Sequence, residues 1–515
     1  MRKKIFILIV AASFILTALS VSSSEITKNN YDEDYDPLVD VSVTVEILGI
    51  RSLEKEDSQI PFEEIIDKNS DPDFYVKVYI DQEEFTSNTW TNTKYIYNPD
   101  WSATYNVDDS KETVDIKIQL WDAKDEDQSQ DRLCDISREV GKKGVYHSRI
   151  GSFLKNIISK YFKKEIISLQ QNDDYYDVEL SYNIKTGRWT GGDNNSELDI
   201  SGYGRLNGCD DNTIYVKDRD CELWFNIYQN DYDNDRIPYW AEVNTYNSDP
   251  EIKDTGDPDN DGIAVDWEWR WGYDPFVYED HETLDPDGDS LTNIEEYKTS
   301  EWGSDPFTKD VFVELDVMEE GPNGEKTDFP KDCDEIIRTA FNRQNILFHL
   351  DEGDMGGYEI IPFDDYVTYN DLYKIYNDYF LHNDEDNWRR GVFHYGVVVY
   401  KSESAAGFMF RRNAFQVSSS GHDNLIKNNP SYDRDTVYAS AYMHELGHTF
   451  GFWPIPGHDH NSVFPWQAGY WINRPYKSCM NYGYMYTTVD YSDGSRRAPD
   501  LDDWDRMKLN YFQRD

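Results

Sequence analysis

Cysteine is scarce, with five in 515 residues, and the odd number leaves at least one thiol outside any internal pairing. That excludes a scaffold held by a dense disulfide framework; Cys209 and Cys221 have the spacing best suited to a single bridge. Basic residues are outnumbered two to one, 50 Lys and Arg against 100 Asp and Glu, for a net charge of -50. Nucleic acid is thereby excluded as an electrostatically bound partner, and divalent cations become the natural counter-ions. Long apolar runs are missing beyond the first residues, so no later segment can cross a bilayer. The one early run, Ile5 to Leu19, follows Arg2-Lys3-Lys4 and precedes small residues, which is the three-part form of a secretory signal peptide over residues 1–23. A retained anchor is the alternative, and either form implies a secreted or cell-surface extracellular protein. Histidine is also rare, at 10 residues, while aromatic residues make up 15% and supply core material for several domains.

Two of the few histidines fall in Tyr442-Met443-His444-Glu445-Leu446-Gly447-His448-Thr449-Phe450-Gly451. On a helix, residues four apart share a face, so His444 and His448 can direct two imidazoles at one ion with Glu445 beside it. That pattern is the hardware of zinc-assisted hydrolysis: the ion acts as Lewis acid, and the carboxylate takes a proton from water as it attacks a carbonyl.

The motif, Gly451 after it, and the later run Lys477-Ser478-Cys479-Met480-Asn481-Tyr482 together resemble the metzincin clan of zinc proteases. The resemblance implies that Met480 lies beneath the zinc site as a structural residue and that Tyr482 ligates zinc or hydrogen-bonds the oxyanion. It also implies a third ligand three residues after the glycine, but that position is Pro454, which cannot bind metal. Pro454, Pro456 and Gly457 suggest an extended loop that delivers Gly457-His458-Asp459-His460 late, with His458 favoured as third ligand and Asp459 and His460 as alternatives. Upstream, Val311 to Val317 alternates as a half-buried strand does, Asp334 to Arg343 reads as a helix, and Ile346 to Leu350, Gly391 to Tyr400 and Phe408 to Val417 read as strands. Asp502 to Phe512 reads as a closing helix. Residues 309–515 are thus expected to form an α+β, metzincin-like peptidase domain.

Between 225 and 308 the acidic residues fall into a repeat. Asp231, Asp233 and Asp235 lead to Glu242; Asp257, Asp259 and Asp261 lead to Glu268; Asp285, Asp287 and Asp289 lead to Glu296. Carboxylates at positions 1, 3, 5 and 12 follow the EF-hand spacing that wraps oxygens around calcium. Gly262 occupies the sharp-turn position of the second loop, where the others carry Arg236 and Ser290. With the aspartate-proline pairs that follow each loop, the repeat resembles thrombospondin type-3 and related calcium-loop repeats.

Residues 38–190 read as all-β, with alternation in Val41 to Ile47, Phe74 to Ile80 and Val114 to Asp122, whereas 140–225 carries little readable pattern. The pieces Asp73 to Val78, Asn98-Pro99-Asp100-Trp101 and Leu120-Trp121-Asp122 resemble, in order, a C2-type β-sandwich. By that match Asp67, Asp73 and Asp122 line a calcium cup, and cell-surface or lipid contact is implied. Lys124 departs from the family pattern at a position often given to aspartate.

The chain is therefore expected to be multidomain: an all-β sandwich, a calcium-loop repeat linker and a metzincin-like catalytic domain, with zinc and calcium as cofactors. The expected activity is endopeptidase action on a protein or peptide, with Glu445 as general base. The rival reading is a calcium-stiffened surface adhesion protein with a degenerate protease-like domain.

Overall fold

Alternating β-branched and aromatic residues build two antiparallel sheets in the amino-terminal part of the computed structural model, which describes residues 41–53, 71–108, 110–124, 131–137, 177–192, 203–209, 220–403 and 406–513. The expected signal peptide and Asp67 lie outside these residues. One sheet has the order β4 (Tyr95–Asn106), β1 (Ser42–Ser52), β10 (Cys221–Gln229), β9 (Tyr203–Asn207). The other runs β3 (Glu83–Thr86), β2 (Phe74–Ile80), β5 (Thr113–Asp122), β7 (Val178–Asn183), β8 (Arg188–Gly191), with β6 (Arg132–Leu133) on β5. Val43, Val45 and Ile47 of β1 and Leu223, Phe225 and Ile227 of β10 meet Val76, Val78, Ile116 and Ile118 of the opposite sheet in one core.

This arrangement corrects the boundary at 190, because β10 lies between β1 and β9 in the middle of its sheet. Its alternating run was hidden by the unreadable stretch before it. The Cys209–Cys221 bridge is likewise not formed, since all five cysteines carry thiols. Glu222 stands opposite Asn207 in the ladder, and the Gly208 N–H donates to the Cys221 carbonyl (3.0 Å), which sets Cys221 across from Gly208 rather than Cys209.

The acidic repeat is a packed layer rather than a linker. Its short helices α1 (Tyr239–Ala241), α2 (Val265–Trp271) and α3 (Asn293–Thr299) each follow an acidic loop. Ile237, Val265 and Trp269 form one small core, and Ile263, Trp267 and Trp271 a second. The Thr292 and Glu295 capping box starts α3.

The carboxy-terminal unit is a sheet of order β12 (Leu347–Asp351), β11 (Asp310–Met318), β14 (Phe393–Val399), β16 (Ala414–Ser418), β15 (Gly407–Arg411), with β13 (Ile360–Ile361) beside β11. All pairings are parallel except the edge pair β15–β16. The expected strand over 408–417 is thus two strands of a hairpin. On one face, α4 (Cys333–Asn342) and α8 (Arg434–Thr449) cover Val311, Val313, Leu315 and Val317; on the other, α5 (Tyr369–Ile375) helps cover Phe312 and Met318. Strand β11 is consequently buried along its whole length, not half-buried. Its acidic residues are accommodated by pairing: Arg389 of α6 (Arg389–Val392) reaches Glu314 (2.5 Å) and Asp351 (2.6 Å), and the Tyr395 hydroxyl donates to Asp316 (2.6 Å). α7 (Ser419–Asn428) and α9 (Ala468–Ile472) complete the unit.

Residues 502–512 form successive turns rather than the expected helix. The Asp502 carboxylate accepts the Asp505 N–H (2.9 Å) and the Phe450 carbonyl accepts the Lys508 N–H (3.3 Å), bonds that replace a helical ladder while Trp504, Met507 and Leu509 still pack on the core.

Candidate metal centres

Helix α8 begins at Asp433, whose side chain accepts the Thr436 N–H (2.9 Å). It ends where Gly451 adopts a φ of 77°, a left-handed turn in which an added Cβ would stand 3.0 Å from the Tyr511 ring. The turn sends the chain back through Pro454 and Pro456 to His458. There the His458 and His444 Nε2 atoms stand 3.2 Å apart, and one nitrogen from each of His444, His448 and His458 lies within 4.8 Å of the others. The structure thus brings His458 to the two helix histidines. Asp459 instead accepts the Asn461 N–H (2.7 Å) and the Ser462 hydroxyl (3.2 Å) within its own turn.

Burial holds the His444 imidazole down at about 3, assisted by His458, and pushes His448 and His458 below the ordinary range as well. Three neutral imidazoles facing one another present lone pairs, a donor set that suits zinc. His444 is oriented from behind by its Nδ1–H, which donates to the Cys479 carbonyl (2.8 Å). Met480 follows directly and is fully buried; a Cβ at Gly447 would meet its sulfur at 2.5 Å, so the glycine of the motif admits Met480 against the helix that carries the two histidines. The Tyr482 ring lies 4.4 Å from that of His458. Glu445 is buried, its Oε2 has no hydrogen-bond partner, and burial raises its carboxyl to about 8. A side chain at Gly407, on the edge strand β15, would come within 2.6 Å of Glu445 Oε1. Neither the Cys479 carbonyl nor the Gly407 contact leaves a residue-type signature in the sequence.

The three acidic loops share one geometry. The first carboxylate of each accepts backbone N–H groups from the turn: Asp231 from Arg236 (3.2 Å), Asp257 from Gly262 (3.0 Å) and Asp285 from Ser290 (3.1 Å). Arg236, Gly262 and Ser290 all have positive φ, 77°, 102° and 84°, so the sharp turn forms with or without glycine. The carboxylates crowd as expected: Asp231, Asp233 and Asp235 converge, as do Asp257, Asp259 and Asp261. Burial and the neighbouring carboxylates raise Asp233 to about 7, Glu242 to about 9 and Asp287 to about 9, and push Glu296 well above the usual range. Buried oxygens of Asp233, Asp259, Asp287 and Glu296 lack hydrogen-bond partners. Such a set fits a hard cation.

Sequence reasoning missed a further residue in each loop. The fifth-position carboxylate accepts a backbone N–H from 19, 18 or 21 residues on: Asp254 to Asp235 (3.1 Å), Glu279 to Asp261 (3.4 Å) and Asp310 to Asp289 (2.7 Å). Asp254 then converges with Asp235 and Glu242, and His281 with Asp261 and Glu268. The recurrence of an acidic residue at that offset was the available signal.

In the sandwich, Asp122 accepts the Asp73 N–H (3.1 Å), Asp73 accepts the Asn92 N–H (2.6 Å), and Lys124 Nζ stands 3.9 Å from Asp122 Oδ2. The two expected cup carboxylates are adjacent, with an ammonium group beside them.

Residues 41–146 match the family model of the C2 domain. No curated protein matches the chain. Among solved structures, human GIVD cytosolic phospholipase A2 with methyl γ-linolenyl fluorophosphonate is 14% identical, over 38% of this chain and 18% of that one, with a TM-score of 0.19. A C2 domain of plant extended synaptotagmin 1 is 14% identical over 19% of this chain and 65% of that one, TM-score 0.15. Calcium-bound extended-synaptotagmin 2 is 13% identical over 19% and 33%, TM-score 0.14. The chain spans less than a fifth of the phospholipase, at 18%. Residues 41–146 are thus C2-like, and β7 to β10, beyond the match, complete the same two sheets.

Proposed function

We propose that the carboxy-terminal unit is a zinc-dependent endopeptidase acting outside the cell, stiffened by calcium in the acidic loops and carried beside a C2-type sandwich. The observation that supports this most directly is the convergence of His444, His448 and His458 next to a buried Glu445 whose Oε2 has no hydrogen-bond partner. When bound, zinc supplies Lewis-acid polarisation of the scissile carbonyl. Glu445 would take the proton from the attacking water and return it to the leaving amine. Tyr482, whose ring lies 4.4 Å from that of His458, would donate its hydroxyl to the oxyanion. β15 ends its sheet next to Glu445, and an extended peptide adding to that edge would bring its backbone to the carboxylate.

The degenerate, adhesion-only reading drew on Pro454, and the arrival of His458 four residues later counts against it. A lipid-contacting role for the sandwich rests on the family match alone, and Lys124 beside Asp122 argues that any such contact is less calcium-dependent than in a cup lined only by carboxylates. The deciding experiment is Glu445→Gln in the full chain. Zinc content should stay at the parent level while peptide hydrolysis falls by about a thousandfold or more. Hydrolysis at the parent rate would remove Glu445 from the mechanism.

A further inference from the structure

The second acidic loop differs from the other two in one ligand-grade side chain. In each loop the residue two places after the trailing backbone donor holds an equivalent place in the repeat; these are Gly256, His281 and Phe312. Only the second is an imidazole. His281 is buried, and its Nε2 has no hydrogen-bond partner. That nitrogen lies 3.2 Å from Asp261 Oδ2, 3.8 Å from Glu268 Oε1 and 4.0 Å from Glu279 Oε2. Both Glu268 oxygens and Glu279 Oε2 are also without hydrogen-bond partners. The imidazole Nε2 therefore has three carboxylate oxygens within 4.0 Å, and ligand atoms of Asp261, Glu268 and His281 lie within 4.8 Å of one another; of the three oxygens, Asp261 Oδ2 also accepts the Glu279 N–H (3.4 Å).

We propose that this lobe of the second loop is a mixed nitrogen and oxygen site for a borderline divalent ion of the manganese to zinc class, with His281, Asp261, Glu268 and Glu279 as ligands. Calcium takes oxygen ligands at about 2.3–2.6 Å and gains little from an imidazole, whereas bonds of about 2.0–2.2 Å in a tetrahedral set hold neighbouring ligand atoms about 3.4 Å apart. The observed separations bracket that value. Asp257, Asp259 and Asp261 form a second, all-oxygen lobe of the same loop, left for calcium.

The surroundings orient the ring as metal-site neighbours do. Tyr273 meets it edge-on at 4.9 Å and Trp267 at 6.1 Å, fixing the imidazole plane. Asn293, also buried, faces Nδ1 at 2.9 Å through its side-chain amide, and its Oδ1 has no partner. A half-turn of that amide sets Oδ1 against Nδ1–H and directs the Nε2 lone pair at the carboxylates.

The test uses the full chain with zinc already bound at the three-histidine site, titrated with Mn²⁺ in millimolar calcium and read by electron spin echo spectroscopy. The parent protein should hold one Mn²⁺ per chain against calcium, with modulation from a directly bound nitrogen. His281→Gln and His281→Asp should both lose the nitrogen signal, while His281→Asp, an all-oxygen lobe, should let calcium displace the Mn²⁺ and keep the fold. Asn293→Ala should weaken Mn²⁺ about tenfold to a hundredfold. Peptide hydrolysis should be unchanged in all three variants, and His458→Ala should keep the nitrogen-coupled signal while losing hydrolysis, which separates this site from the catalytic one. A parent protein whose Mn²⁺ shows no nitrogen coupling, or shows it equally in His281→Asp, overturns the proposal.

Discussion

Around the three-histidine centre, each side chain is set by a neighbour that removes an alternative. Cys479 occupies the far nitrogen of His444, Trp453 stacks on His448 at 5.0 Å, and Tyr482 abuts His458. Asp459 and His460 have no such placement: the first caps its turn, and the second packs on the Tyr482 ring at 6.2 Å while its carbonyl accepts the Gln467 side-chain amide (2.7 Å). We therefore expect His458→Ala to lower zinc affinity and turnover by at least about a hundredfold, and Asp459→Ala and His460→Ala to change either by only a few-fold. Zinc content and hydrolysis of the three purified variants check this; an unaltered His458→Ala protein, or loss centred on Asp459, moves the ligand. The pair His444 and His448 was legible because a four-residue spacing on a helix leaves little freedom. His458 was reachable because Pro454 excluded the usual position. The Cys479 acceptor was not, since a backbone carbonyl can belong to any residue.

At the level of elements, local alternation reported strands correctly and their surroundings poorly. β11 alternates apolar with acidic residues, yet its acidic face is covered because Arg389, 75 positions away, hydrogen-bonds Glu314 inside the fold. The break within 408–417 was also illegible, because Phe408 to Phe410 and Ala414 to Val417 have the same β-forming character on either side of a two-residue turn. The buried acids of β11 have a consequence for pH. Burial raises Glu314 to about 8 and Asp316 to about 7, against the attraction of Arg389 for the former. Carboxyl pKa values raised by folding mean that the folded chain binds more protons than the unfolded one above the unfolded value, so their contribution to stability is present at low pH and lost as pH rises through about 7 to 8. Glu314→Gln is neutral at every pH. Its melting temperature relative to the parent should therefore be lower or equal at pH 6 and shift upward by pH 9; a difference that stays constant between those values contradicts the assignment.

For the whole molecule, the three parts are joined by polar contacts that no local pattern announces. Arg51 of the sandwich, fully buried, pairs with Glu335 of α4 (2.5 Å), the Tyr97 hydroxyl donates to the same carboxylate (2.7 Å), and Asn342 donates to Glu222 (2.7 Å). Partners 120 to 284 positions apart are beyond what periodicity can show, which is why the sandwich looked separable. The acidic layer is tied in more tightly still. Asp310, the first residue of β11, donates its N–H to Asp289 of the third loop (2.7 Å), accepts the Asp305 N–H (3.0 Å) and is hydrogen-bonded by His349 of β12. Asp233 and Asp235 of the first loop have no such tie to the carboxy-terminal sheet among the described residues. Removing calcium leaves clustered carboxylates repelling one another, and binding energy lost from the folded state is stability lost. Chelation with zinc held constant should lower the melting temperature by several degrees and open residues 231–310 to proteolysis. It should also slow hydrolysis, because strain at the third loop reaches β11 through Asp310. Asp289→Asn should accordingly impair peptide hydrolysis more than Asp233→Asn at equal calcium, although both remove one carboxylate. Equal melting temperatures in calcium and chelator would sink the calcium assignment, and equal activity of the two variants would show that the third loop stabilises only itself.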